Sequence, residues 1–393
     1  MSKDRAGRRE FLQSSLASAG LAALAAGVPG RAVAAPSSPT APTAAKADAV
    51  DPHPDPTRPP RLRFSVIGIN HAHVYRLVEA VERGGGELGS FYAKEPDLVA
   101  AFAKRYPKAK LAREPKEILE DKETKVVLSA SILDERAPLG IEVMRHGKDF
   151  LSDKPGMTTL EQLAKVRKVQ KETGRIYSIL YSERHENRAT VKAGELVKAG
   201  AIGKVIQTIG IGPHRLNPET RAPWFFKKEH YGGILVDIGS HQFDQFLFFT
   251  GSTKAEIVAA QVKNVNHPQY PGLEDFGDVM VRGDGGTGYI RVDWFSPAGL
   301  STWGDGRLTI LGTDGYIEVR KNADIGGHPG GEHLFVVDKK ETRHFDCKNE
   351  PLPFGERFVD DVLNRTETAM PQQHCFLAME LALRAEKSAS RIG

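Results

Sequence analysis

Arg63-Phe64-Ser65-Val66-Ile67-Gly68-Ile69-Asn70-His71-Ala72-His73 begins as a short β-branched and aromatic run, is closed by glycine, and leads into Val74, Leu77, Val78 and Val81 at helical spacing. Strand, tight turn and helix is the simplest reading. The alternation repeats downstream: a strand near Leu88–Tyr92, a helix from Pro96 to Tyr106, a strand at Val126–Ser129, a helix over Pro138–His146 and a strand at Phe150–Ser152. Strands alternating with helices of this length indicate a parallel sheet covered on both faces. Residues 61–155 are therefore expected to form a doubly wound α/β domain.

Beyond a helix at Thr159–Thr173 the texture changes. Longer alternating runs follow at Val205–Ile211, Ile257–Val265, Val279–Arg282, Gly288–Trp294, Leu308–Leu311 and Tyr316–Arg320, with Asp284-Gly285-Gly286 and Thr313-Asp314-Gly315 as hairpin turns. Residues 156–393 are expected to form an α+β domain with a large, mostly antiparallel sheet, closed by helices near Glu356–Asn364 and Cys375–Ser388.

Upstream of both, Arg8-Arg9-Glu10-Phe11-Leu12 precedes a small-residue apolar stretch from Leu16 to Val28 and then Ala32-Val33-Ala34. A basic start, an apolar segment too short and alanine-rich for a membrane span, and an A-x-A site are the parts of an export signal. The adjacent arginines resemble a twin-arginine signal, which implies export of an already folded protein to the periplasm or another extracytoplasmic space. Cleavage is expected after Ala34, leaving no stable membrane insertion. Residues 35–60 hold eight of the 24 prolines and no apolar period, and read as an extended arm.

The chain has 393 residues, 40 % hydrophobic and 26 % charged, which excludes a disordered or multi-span membrane protein. Most of its formal charge of +4 comes from residues 1–34, so the remainder carries no electrostatic footprint for nucleic acid. Cys347 and Cys375 are too few to define a disulfide framework, although an oxidising compartment would permit them to pair.

Three short constellations could carry chemistry. In open α/β sheets ligands bind beyond the carboxyl ends of the strands, where the first turn carries Gly68, Asn70, His71 and His73. Against a dinucleotide fingerprint only Gly68 survives. Asn70 and His73 stand in the second and third glycine places, where Asn tolerates a left-handed backbone and His73 is expected to crowd the helix–strand contact. Second, Ser152-Asp153-Lys154-Pro155-Gly156 stands at the end of the strand at Phe150–Ser152, and proline holds the preceding lysine extended so that its amine projects into the crevice. Third, Gly232-Gly233 precedes Asp237-Ile238-Gly239-Ser240-His241. A helix starting near Asp237 would put Asp237 and His241 at i and i+4 on one face, as a base and its orienting carboxylate, with the double glycine allowing close approach to a ligand.

In this order and spacing, over roughly residues 61–393, these pieces resemble the Gfo/Idh/MocA oxidoreductase family. Supporting marks are Gly147-Lys148-Asp149, Gly200-Ala201-Ile202-Gly203-Lys204, Trp224 and Gly312-Thr313-Asp314-Gly315. The resemblance implies a Rossmann-like first domain, NAD or NADP as cofactor, a sugar or polyol substrate, and a homo-oligomer built on the antiparallel sheet. It makes Lys154 the amine beside the reacting hydroxyl and the nicotinamide, His241 the acid/base and Asp237 a substrate-binding or orienting carboxylate. Gly68, Asn70, His71, Ala93, Lys94 and Lys154 would face the cofactor. The departures lie at the cofactor end. Ala93, followed by Lys94 and Glu95, replaces the usual ribose-binding acid, and Ser131-Ile132-Leu133-Asp134-Glu135-Arg136 replaces Thr-Pro-Asn-x-x-His.

That pattern supports an alternative, a sugar-acting hydrolase or lyase with altered or absent NAD binding and a divalent metal held by His71, His73, Glu183, His185, His214 and His241, with Glu183 and His185 alternating along an extended Tyr181–His185 segment. A sugar-binding or structural protein gains nothing from a retained Lys154–His241 pair. The preferred reading is an exported oxidoreductase that leaves the cytoplasm with its nicotinamide nucleotide already bound, under cover of the residue 35–60 arm of a neighbouring subunit.

Overall fold

Two sheets organise the chain in a computed structural model that describes residues 59–392; the expected signal and nearly all of the arm lie outside the described residues. The first sheet comprises β1 (Leu62–Ile67), β2 (Gly86–Tyr92), β3 (Lys110–Leu111), β4 (Thr124–Ser129), β5 (Asp149–Asp153) and β6 (Tyr177–Leu180). Their order is β3-β2-β1-β4-β5-β6 and every pairing is parallel. From β1 the connections run in opposite directions, to β2 on one side and β4 on the other. That divergence opens a crevice beyond the carboxyl end of β1. The fold class expected from the alternation is the one observed.

The Val74–Arg83 helix explains why the first unit forms. Val74, Leu77, Val78 and Val81 line one side of it and are fully buried against β1 and β2 residues such as Phe64 and Phe91. Each such side chain is worth about 1.5–3 kcal/mol relative to exposure. β6 lies past residue 155 yet pairs with β5, because the wholly buried Tyr177-Ser178-Ile179-Leu180 run has no polar alternation to mark it as an edge.

The second sheet contains β7 (Val205–Pro213), β8 (Ala255–Lys263), β9 (Phe276–Gly283), β10 (Thr287–Asp293), β11 (Arg307–Gly312), β12 (Gly315–Arg320), β13 (His333–Asp338), β14 (Thr342–Asp346) and β15 (Ser390–Arg391). Their order is β14-β13-β12-β11-β7-β10-β9-β8-β15. The β7–β10 and β8–β15 pairs are parallel and the rest antiparallel. Both expected hairpins form, β9–β10 around Asp284-Gly285-Gly286 and β11–β12 around Thr313-Asp314. The Gly239–Thr250 and Gln372–Ser388 helices cover one face.

The Phe354–Asn364 helix does not close this second sheet as expected. It packs on the Val74–Arg83 helix of the first, through Phe354, Phe358 and Val359. Gly84 and Gly355 make that approach possible, since a Cβ at Gly355 would lie 1.7 Å from the Ala80 carbonyl oxygen. Cys347 and Cys375 are free and buried in different clusters of the core. Among the described residues no helix is long and apolar enough to cross a membrane.

Candidate active site

The turn after β1 is tight because Gly68 takes a φ of +83°, and a Cβ there would meet Ser131 Cβ at 2.5 Å. Asn70 does not use a left-handed backbone, contrary to expectation. Its side-chain amide donates to Glu95 at 2.7 Å, and the His71 N–H donates to the Ala130 carbonyl at 2.9 Å, which locks the turn between β1 and β4. Nor does His73 crowd the helix–strand contact. Its ring turns across the sheet end, where Nδ1 lies 3.0 Å from Asp153 Oδ1.

A cleft of about 180 Å³ opens here, lined by Gly68, Asn70, Ala93, Lys94, Glu95 and Ser131 among others. Gly68, Asn70, Ala93 and Lys94 are thus brought to one place at the carboxyl ends of β1, β2 and β4. His71 and Lys154 stand one step further along the crevice, beside Asp153.

Arg136, fully buried, shapes that step. Its guanidinium donates to the main-chain oxygens of Ser131, Asp153, Lys154 and Pro155 and pairs with the Asp153 carboxylate at 3.1 Å. It stands where the family pattern has a histidine, and it ties the cleft wall to the Lys154 turn. Residue reading named Arg136 only as a departure; an arginine where the pattern has another residue was the available signal.

From the turn, Lys154 Nζ donates to Asp237 Oδ1 at 2.8 Å and to the Asp237 carbonyl at 3.1 Å. Burial alone would raise the Asp237 pKa, but the Lys154 ammonium outweighs it and holds the carboxyl below its ordinary range. Asp237 and His241 do not share one helix. A helical turn at Ile234–Asp237 ends at Ile238, and a second helix runs from Gly239 to Thr250. The break has a cause: the Asp237 carbonyl accepts from Lys154 and from Ser240 Oγ, and the His241 N–H turns to the Ile238 carbonyl instead. Asp237 therefore serves Lys154 rather than orienting His241.

The double glycine also differs from expectation. A Cβ on Gly233 would strike the Glu386 carboxylate, and one on Gly232 would press on Thr158. The close approach is to the protein itself, because Glu386 and Glu274 accept the N–H groups that open the Ile234–Asp237 turn.

His241 is buried, with Nδ1 lacking a hydrogen-bond partner. Burial pushes its pKa down to about 3 against the upward pull of Glu183, with Lys154, His73 and Lys321 lowering it further, so it stands neutral. His214 is likewise pushed down by burial, to about 4, with Glu183 and Lys154 acting on it. Glu183 stays ionised because Lys321 Nζ lies 2.6 Å away and Gln242 donates to it at 2.7 Å. Nothing in the sequence around Lys321 marked it as Glu183's partner.

The six residues of the metal alternative do not converge. Tyr181–His185 is not extended: Ser182–His185 is a helical turn, which sends neighbouring side chains to different sides. Glu183 faces Lys321 and the His214 and His241 group, whereas His185 packs against Phe354 with ring centres 4.4 Å apart. His71 and His73 lie with Asp153.

The C-terminal domain of the Gfo/Idh/MocA family matches residues 190–318. The crystal structure of a candidate oxidoreductase from Erwinia carotovora atroseptica is 43 % identical, covers 84 % of this chain and 100 % of its own, and superposes with a TM-score of 0.82. The chain belongs to the Gfo/Idh/MocA oxidoreductases. Among curated relatives, the NADP-dependent scyllo-inositol 2-dehydrogenase IolW of Bacillus subtilis is 28 % identical over 180 residues, 45 % of this chain and 49 % of its own. Levoglucosan dehydrogenase of Pseudarthrobacter phenanthrenivorans is 24 % identical over 235 residues, 58 % of this chain and 57 % of its own. The chain thus spans about half the length of the curated relatives it matches.

In this chain the site combines a buried ammonium on a carboxylate, a neutral imidazole, and a cleft at the point where the strand order reverses. Such a set can take a proton from a hydroxyl and stabilise the resulting negative charge.

Proposed function

We propose that the protein oxidises a secondary hydroxyl of a sugar or polyol with a nicotinamide dinucleotide, and works in reverse on the ketone. The observation that carries this reading is the buried Lys154–Asp237 pair, whose ammonium acts on the buried His241 from a separate stretch of chain, in a fold that opens a cleft at the carboxyl ends of β1 and β2. Gly68 leaves bare backbone at the turn, and Gly68, Asn70, Ala93, Lys94 and Ser131 would hold the adenosine side. When bound, the nicotinamide supplies the hydride acceptor that side chains lack.

The protein's own residues do the rest. Lys154 donates a hydrogen bond to the reacting oxygen and stabilises the charge that develops there. His241, held neutral by burial, receives the hydroxyl proton. Asp237 holds the Lys154 amine in place. With no carboxylate at residue 93 to bind a ribose hydroxyl, Glu95 taken up by the Asn70 amide and Lys94 on the cleft wall, the phosphorylated nucleotide NADP is favoured. Sugar and polyol substrates follow from the inositol and levoglucosan dehydrogenases among the relatives.

Export with bound nucleotide belongs to the same reading, supported by Arg8-Arg9 ahead of the apolar stretch. Assembly through the second sheet is supported by Val258, Met280, Leu311 and Tyr316, exposed large apolar side chains of β8, β9, β11 and β12. Denaturing protein taken from its native compartment should release stoichiometric NADP(H) or NAD(H). Release of none, with no turnover of any sugar or polyol when nucleotide is added, would sink the reading. Replacing Arg8 and Arg9 by lysine should retain the protein in the cytoplasm.

A further inference from the structure

His71, His73 and Asp153 form a cluster to which the oxidoreductase reading assigns no chemical step. Each offers a donor atom, and the three atoms lie within 4.8 Å of one another. His73 Nδ1 is 3.0 Å from Asp153 Oδ1, His71 Nδ1 is 3.7 Å from Asp153 Oδ2, and the two rings meet edge to face with centres 4.1 Å apart. We propose that these three side chains bind a divalent first-row transition ion.

Donor chemistry and support point the same way. Two imidazoles and one carboxylate on one side of an ion leave its remaining positions open, and this set suits iron, cobalt, nickel or zinc rather than magnesium or calcium. The open positions take an oxygen donor, water or a substrate hydroxyl. The ligands rest on rigid parts of the fold: the histidines stand two apart on the turn locked by Gly68 and by the His71–Ala130 bond, and Asp153 ends β5. Asp153 Oδ2 is buried without a hydrogen bond, although Arg136 Nη2 pairs with it electrostatically at 3.1 Å. That guanidinium also holds the Asp153 carbonyl, the kind of outer support that orients a metal-binding carboxylate. The competing reading is that His73 and Asp153 simply pair with each other, in which case no ion is taken up.

The test is a cobalt titration of the metal-free, tag-free full chain, followed by visible absorption. The expected result is saturable growth of d–d bands, reversed by added zinc and lost in both His71→Gln and His73→Gln. Both histidine side chains are partly exposed, so each variant should keep the parent's circular dichroism and melting temperature. Absent bands in the parent, or bands that persist in the two variants, overturn the proposal. Nucleotide release is scored separately, so the ion site and the oxidoreductase reading can fail independently.

Discussion

Lys154 sits where one substitution removes the charge that would face a developing alkoxide. Lys154→Ala should lower kcat by about 10²–10³-fold with a smaller change in KM, the loss expected when a preorganised donor to the reacting oxygen is removed. Steady-state kinetics on the best sugar or polyol substrate would show this, and unchanged turnover would end the assignment. His241 carries a pH signature. Because burial holds its pKa near 3 despite Glu183, it is already deprotonated at pH 5, and kcat/KM should show no acid-side fall around 6.5, the ordinary imidazole value. An acid limb centred at 6–7 that disappears in His241→Gln would contradict the neutral resting state. At the cleft wall, Lys94→Glu should weaken NADPH relative to NADH by about tenfold or more, since a charge-assisted contact of this kind is worth about 1.5–3 kcal/mol. Fluorescence titration with the two nucleotides measures that ratio.

The helix carrying His241 is anchored away from the site by Asp244. Asp244 accepts two bonds of 2.7 Å from Arg184 and lies 2.9 Å from His374 Nε2, so a single buried carboxylate joins the Gly239–Thr250 helix to the Ser182–His185 turn and the Gln372–Ser388 helix. Asp244→Ala leaves the Arg184 guanidinium buried without its partner and should destabilise the protein by about 3–5 kcal/mol in denaturant unfolding. A loss below about 1 kcal/mol would mean water replaces the carboxylate. The break at Ile238 shows why the Asp237–His241 element was only half readable. The residue types and their spacing pointed to a functional pair, but the shape between them depends on an ammonium 83 residues upstream that takes the Asp237 carbonyl. His73 is similar: its ring leaves the helix–strand contact for a carboxylate 80 residues away.

Across the whole molecule, buried acids give stability a pH dependence. Burial pushes the Glu332 carboxyl up to about 7, although the Ala189 N–H bonds to it. The folded state therefore holds a proton that the unfolded chain gives up near 4.5. The stabilisation is complete below 4.5 and disappears as pH rises through about 7. Melting temperature should fall over that window, and Glu332→Gln should flatten part of the fall; an identical slope in the variant would place the effect elsewhere.

Periodicity was enough for the two-sheet architecture, and turn chemistry for the hairpins, because both are local; Lys154, Asp237 and His241 were singled out by short motifs, and their proposed roles come from the family resemblance. Folding alone settled the rest. Arg136 gathers four carbonyls from two loops, Lys321 reaches Glu183, His185 is drawn into the core, and the Phe354–Asn364 helix leaves its expected sheet for the other. Each of these choices satisfies a buried charge or covers an apolar face with a group distant along the chain, and distance along a chain leaves no local pattern to read.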